Sequence, residues 1–224
     1  MATPILQLTG LSRTYHSGNS RRTVLKDVSY SFEQGRMYSV IGPSGSGKTT
    51  LLSLAGGLDS PSGGSVRFNG RDITEIGLGR YRNQHVAMVF QSLNLLTYMT
   101  AVQNITSAME ITGVKGVNRK RHATELLDLL GVKGPDQHRR PPELSGGQQQ
   151  RVAIARALAC EVDILFADEP TGSLDHDTTE EIIEVLRQLA HEDGKCVILV
   201  THSREAADVS DEVIRLRRGK LMPL

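Results

Sequence analysis

Eight consecutive residues, Gly42-Pro43-Ser44-Gly45-Ser46-Gly47-Lys48-Thr49, fit the pattern G-x-x-x-x-G-K-[ST] completely. Glycines at these positions let the backbone wrap so that successive N–H groups converge on phosphate oxygens. A helix that follows adds unpaired donors and the positive end of its dipole. Lys48 is then placed to reach the β- and γ-phosphates. Thr49 offers a hydroxyl to Mg²⁺, an ion that takes few protein ligands and keeps several waters. At an average Gly usage of about 7%, a chance match anywhere in the chain is on the order of one in a hundred. Kinases, GTPases and ATPases share such a loop, so the loop alone leaves the class open.

Two further stretches carry chemistry. Ile164-Leu165-Phe166-Ala167-Asp168-Glu169 is an apolar run ending in two carboxylates, which brings Asp168 to the edge of a sheet where it can hold Mg²⁺. Glu169, one residue on, can act on a water in line with the γ-phosphate as a general base or positioning group. Leu144-Ser145-Gly146-Gly147-Gln148 precedes a helical pattern over 149–159. Ser145 and Gln148 fit a capping box. Two glycines in the first turn are not explained by capping, since each costs about 1 kcal/mol relative to Ala; small residues there expose bare N–H groups to an anion. The chain thus has two phosphate-binding helix starts, one more than a single triphosphate needs unless they serve different copies.

The elements that position these groups can be read from periodicity. Ile5 to Leu11 and Val24 to Phe32 alternate as half-buried strands, an N-terminal meander with one polar face. Met37 to Ile41 is more continuously apolar and leads through the glycine-rich loop into a helix over 48–54. Val86–Phe90, Ile164–Ala167 and Val197–Val200 are short β-rich runs, as expected for strands of a mostly parallel sheet buried on both faces. Ile182, Leu186 and Leu189 give 178–190 one apolar helical face. Two helical patterns, 101–111 and 118–130, fill the middle, and Glu212 to Leu221 is strand-like.

Composition narrows the class. The 224 residues carry 26 Lys+Arg against 25 Asp+Glu, a formal charge of +1, so no strong field favours nucleic acid or anionic lipid. Arg119, Lys120 and Arg121 are followed by Glu125 and Asp128 with no interleaved aromatic, the pattern of a solvated helix face. No apolar run approaches the roughly 18 residues of a spanning helix, and no basic residue precedes Arg13 to open a signal peptide. A cytosolic protein is expected. Cys160 and Cys196 are too few to suggest a disulfide framework or metal site, and both read as small core residues.

Leu144 to Leu158, LSGGQQQRVAIARAL, together with the glycine-rich loop and Asp168-Glu169, resembles the ATP-binding cassette (ABC) family over essentially the whole chain. The resemblance implies an α/β fold: a P-loop NTPase core with a mixed, mostly parallel sheet, an N-terminal antiparallel β subdomain and a helical signature subdomain. It implies a single domain over 1–224, with core at about 1–90 and 160–224 and helical subdomain at about 91–159. In that family the signature helix of one subunit closes on the γ-phosphate held by the P-loop of another, sandwiching two ATP in a head-to-tail homodimer. ATP and Mg²⁺ are the implied cofactors.

Residue by residue, the family pattern implies that Gly42, Pro43, Ser44, Gly45, Ser46, Gly47, Lys48, Thr49 and Thr50 bind the nucleotide from one copy. Ser145, Gly146, Gly147 and Gln148 do so from the other, and Asp175 of Ser173-Leu174-Asp175 lies in the inter-subunit loop. Tyr15 matches the aromatic that stacks on adenine. Gln91 matches the glutamine that senses Mg²⁺ and the attacking water, and His202 the histidine that contacts the γ-phosphate. Catalysis is thereby assigned to Glu169, His202, Lys48 and Gln91, and metal binding to Thr49, Gln91 and Asp168. Singly, a Tyr, Gln or His has an ordinary structural reading; in register with three motifs they share a site.

Ser92 to Thr97 is apolar for a loop. It either packs on the helical subdomain or, as in transporters of the family, cradles a helix of a membrane subunit. Tyr15-His16-Ser17-Gly18, Gly56-Gly57-Leu58-Asp59 and 170–175 are similar to the lipoprotein-releasing, macrolide and antimicrobial-peptide exporter ATPases. That group includes a cell-division ATPase that regulates a membrane partner without transport. The expected partner is an integral membrane permease, with the chain peripheral on the cytoplasmic face. The alternatives are an importer ATPase, less favoured because no regulatory domain follows residue 221, and an ATPase of that cell-division type. A repair-type ATPase would need a long coiled coil where 100–130 is short, a translation-factor relative would have two cassettes, and a P-loop kinase or GTPase has no use for the signature helix.

Overall fold

A computed structural model describes residues 4–18, 20–172 and 174–224. Alternating apolar positions pair β1 (Leu6–Ser17) antiparallel with β2 (Ser20–Phe32). Both strands run farther than their alternation predicts. The next strand, β3 (Met37–Ile41), is almost wholly buried and delivers the chain to α1 (Lys48–Ala55). β4 (Gly63–Phe68) and β5 (Arg71–Asp72) then extend the antiparallel sheet, in the order β2-β1-β4-β5. Two short helices, α2 (Ile73–Ile76) and α3 (Leu78–His85), lead into β6 (Val86–Val89).

The middle of the chain is helical: α4 (Ala101–Thr112), α5 (Arg119–Leu129) and α6 (Gly146–Leu158) pack on one another. Thr100 and Gln103 close a capping box at the start of α4, and Gly113 at φ 76° ends it. The basic triplet lies on α5, where Arg121 pairs with Glu125 at 2.8 Å on an exposed face.

The remaining elements are β7 (Ile164–Asp168), α7 (His176–His191), β8 (Cys196–Val200), α8 (Arg204–Asp208), β9 (Glu212–Arg217) and β10 (Lys220–Pro223). They complete a second sheet in the order β10-β9-β3-β8-β7-β6. All neighbours in it are parallel except β9 and β10. The strand-like segment 212–221 is therefore two strands. Arg218 and Gly219, at φ 52° and 78°, make the tight reversal between them.

The period of two along each strand divides the core. In β7, Ile164 and Phe166 face the antiparallel sheet and α1, while Leu165 and Ala167 face the layer that holds α4 to α7. Both faces are covered, which is why β3, β7 and β8 read as continuous apolar runs. Cys196 is buried in the first of these layers. Cys160 is only half-buried, at the end of α6. Among the described residues no helix is long and apolar enough to cross a membrane.

Candidate active site

Because β3, β6, β7 and β8 are parallel, their C-terminal ends share one edge of the sheet, and four segments leave it there. These are the 42–49 loop after β3, Gln91 after β6, Asp168-Glu169 at the end of β7 and His202 after β8. They surround a cavity of about 780 Å³ whose lining includes Tyr15, Lys48, Gln91, Asp168, Glu169 and His202.

The loop keeps its glycines for steric reasons. A Cβ on Gly42 would fall 2.3 Å from the Leu216 carbonyl oxygen. Gly47 has φ 106°, and a Cβ there would meet Val24 Cγ1 at 2.8 Å. Lys48 is only 8% exposed, and its Nζ donates to the carbonyls of Gly42 (2.8 Å) and Pro43 (3.3 Å). This curls the loop around the ammonium. Thr49 Oγ1 donates to Asp168 Oδ2 at 2.7 Å, placing two oxygens suited to a hard cation side by side.

Glu169 has φ 51°, a left-handed conformation rare for a residue with a side chain, while its N–H still extends the ladder by donating to Val200 O at 2.8 Å. The turn carries the carboxylate to the cavity. There Oε2 accepts the His202 N–H at 3.2 Å and Oε1 lies 3.4 Å from His202 Nε2. That same Nε2 is 3.3 Å from Lys48 Nζ. A ring protonated on Nδ1 can accept from the ammonium; one protonated on Nε2 faces the carboxylate instead. Tyr15 is 41% exposed, with its hydroxyl donating to Asp59 Oδ2 at 3.3 Å and the Arg13 guanidinium 4.6 Å from its ring centre.

A family model described as ABC transporter matches residues 25–172. The chain belongs to the ABC transporter family. It is 49% identical over 205 residues, 92% of this chain and 91% of the relative, to the uncharacterized ABC transporter ATP-binding protein YclH of Bacillus subtilis (strain 168). It is 40% identical to the macrolide export ATP-binding/permease protein MacB of Shewanella sp. (strain W3-18-1), over 98% of this chain but 34% of that protein. Among solved structures it resembles the dimeric MJ0796, a bacterial ABC transporter cassette (TM-score 0.91, 36% identity, 96% of each chain). It also resembles the post-hydrolysis MJ0796 dimer bound to ADP and Pi (TM-score 0.92, 35% identity, 98% of each chain). The chain is an ABC ATPase, with ATP as substrate and Mg²⁺ as its companion ion.

The ABC cavity suits that pair of ligands. Lys48 is a buried cation with no carboxylate partner among the described residues, Ser46 Oγ is buried without a hydrogen-bond partner among them, and the Thr49 and Asp168 oxygens adjoin. A polyanion carrying a hard cation answers all three.

The ABC signature start lies elsewhere. Ser145 caps α6 as expected: its Oγ accepts from Gln148 N (3.2 Å), while Gln148 Oε1 accepts from Ser145 N (3.0 Å). Gln148 also donates to Asp136 at 2.7 Å, so its amide is already engaged within the fold. Residues 145–148 do not line the cavity of their own chain. Asp175 is likewise outside it, as the N-cap of α7. Hydrogen bonds from the Thr178 N–H and hydroxyl hold its carboxyl below the usual carboxylate range. Ser173 lies outside the described residues.

The 92–97 loop is partly packed and partly exposed. Leu95 packs on the core, whereas Leu96 and, beyond the loop, Tyr98 are 37% and 67% exposed. Buried Asn104 fastens this turn, accepting from Leu96 N and donating to the carbonyls of Leu96, Met99 and Thr100.

Sequence reasoning missed Arg22 and Val24, which line the cavity from β2 opposite Tyr15. Their signal was the register of the β1–β2 pair, in which Tyr15 faces Arg22. It also missed Gln150, 2% exposed on α6, which donates to the carbonyls of Glu169 and Pro170. No pattern of residue types marks such a contact.

Proposed function

We propose that this chain is the nucleotide-binding subunit of an ABC exporter, and that two copies close head to tail on two Mg-ATP and drive a membrane permease. In this reading the 42–50 segment cradles the phosphates, Lys48 neutralises the β- and γ-oxygens, and Tyr15 stacks on the base. Glu169 accepts a proton from the attacking water, and His202 and Gln91 hold the γ-phosphate end of the cavity. Thr49, Asp168 and Gln91 would hold Mg²⁺, which when bound draws charge from the phosphate oxygens. The observation that carries the reading is the separation within one chain. The cavity gathers the loop, Gln91, Asp168, Glu169 and His202, while the bare helix start at Ser145-Gly146-Gly147 lies outside its lining. A second copy related by a twofold axis would bring that start to the triphosphate and make both sites equivalent.

The membrane partner and the direction are supported by the macrolide export ATP-binding/permease relatives, each matched over nearly all of this chain. Exposed Leu96 and Tyr98 offer apolar surface for such a partner. Disulfide crosslinking tests the geometry. With Cys160 and Cys196 replaced by Ala and turnover arrested by Glu169→Gln, cysteines at Ser44 and Gly147 should join two chains only when ATP is present. No crosslink under those conditions would overturn the head-to-tail arrangement.

A further inference from the structure

Leu93 and Asn94 follow Gln91 by two and three residues, and both are left-handed, at φ 58° and 49°. Two consecutive residues with side chains rarely hold this conformation, and Leu in particular is disfavoured there. Arg156, on α6, meets both: Nη2 donates to Leu93 O at 2.7 Å and Nη1 to Asn94 O at 2.6 Å. No acid pairs with this guanidinium among the described residues, and burial lowers its pKa. A partly desolvated cation without a counter-ion, holding two carbonyls in its planar fork, is an arrangement that only Arg can make.

We propose that Arg156 is a positioning residue for ATP hydrolysis. It clamps the left-handed turn at Leu93-Asn94, sets where Gln91 enters the cavity, and ties that placement to the helix that begins at Ser145. The same helix therefore carries the signature start at one end and, eleven residues on, the grip on the Gln91 loop. The inference rests on the reading that Gln91 acts at the γ-phosphate. Leu93 belongs to neither core cluster, and besides Arg156 the turn is held by Leu93 N donating to Phe90 O and Ser92 Oγ to Asn94 Oδ1, both at 2.9 Å.

The test is a double-mutant cycle on the full chain. Arg156→Lys keeps the charge but offers one nitrogen where the guanidinium uses two, Nη2 for Leu93 O and Nη1 for Asn94 O. It should lower kcat about tenfold with KM for ATP within about twofold, the size expected when a reacting group is slightly misplaced. Amide hydrogen exchange at residues 92–95 should quicken. Leu93→Gly adopts φ 58° without a Cβ clash, so in that background Arg156→Lys should cost no more than about threefold. Wild-type kcat and exchange in Arg156→Lys, or an undiminished loss in the double variant, would overturn the clamp. Gln91→Ala separates the two claims. If it turns over normally, the role of Gln91 fails, while the exchange measurement at 92–95 still decides for or against the clamp.

Discussion

Thr49 and Asp168 are 119 residues apart in the chain, yet Thr49 Oγ1 donates to Asp168 Oδ2 at 2.7 Å. The first residue belongs to the helix after β3 and the second ends β7. Their contact is possible because β8 alone separates the two strands in the sheet. The pair is the point at which the loop and the acid strand become one site. Thr49→Val removes the hydroxyl at nearly constant volume and leaves Asp168 without that donor. Affinity for Mg²⁺ in the presence of ATP should fall by about tenfold or more. A magnesium titration of ATP turnover measures it, and Thr49→Ser should restore the wild-type curve.

Glu169 provides the second prediction. Its left-handed φ and its contact with the His202 amide fix the carboxylate without any part in holding the loop. Glu169→Gln should therefore leave ATP affinity intact and lower turnover by about 10²–10⁴. Size-exclusion chromatography with ATP should then show a stable dimer. An ATP-saturated variant that elutes as a monomer and still turns over would remove Glu169 from the chemistry.

Loss of Lys48 should act on binding instead. Its ammonium is buried against two carbonyls and bears the only positive side-chain charge within the loop. Lys48→Ala should weaken triphosphate binding by at least about a hundredfold, since charge-assisted bonds to phosphate contribute roughly 1.5–3 kcal/mol each. Calorimetry with ATP checks this, and unchanged affinity would mean that the loop does not hold the phosphates.

Alkaline stability follows from burial. Desolvation pushes both the Cys196 thiol and the Tyr38 phenol up to about 12, and it raises Tyr30 and Tyr81 as well. The folded values lie above the unfolded ones, so the unfolded chain releases these protons first. Stability is complete below the unfolded values and declines as pH rises from about 9. Urea midpoints at about pH 8 and pH 10.5 should differ less in Cys196→Ala than in the wild type.

What could be read in the sequence was set by the kind of contact each residue makes. The loop, Asp168-Glu169 and Ser145-Gly146-Gly147 were legible because phosphate and Mg²⁺ demand particular residue types at fixed spacing. Buried strands such as β7 were legible because both of their faces are covered. β4 was missed: Gly63 and Gly64 dilute its pattern, and its register comes from pairing with β1. The break at Arg218-Gly219 was hidden inside a basic run. Arg156 and Gln150 act on main-chain carbonyls, which any residue supplies, so only the folded chain displays them.

Capping and anion binding can be separated at Ser145. Its hydroxyl closes the capping box with Gln148, so Ser145→Ala should cost about 1 kcal/mol of stability whether or not a phosphate ever visits. Asp caps a helix about as well as Ser and favours the positive end of the dipole. Ser145→Asp should therefore unfold within a few degrees of the wild type. It would also place a negative charge where a second copy presents its triphosphate, and like charges in a water-poor interface repel strongly. The expected outcome is a well-folded chain that binds ATP through its own loop, fails to dimerise on ATP even with Glu169→Gln, and turns over poorly. If Ser145→Asp dimerises and hydrolyses ATP normally, the glycines beside it serve the fold alone, and the signature helix has no part in a shared site.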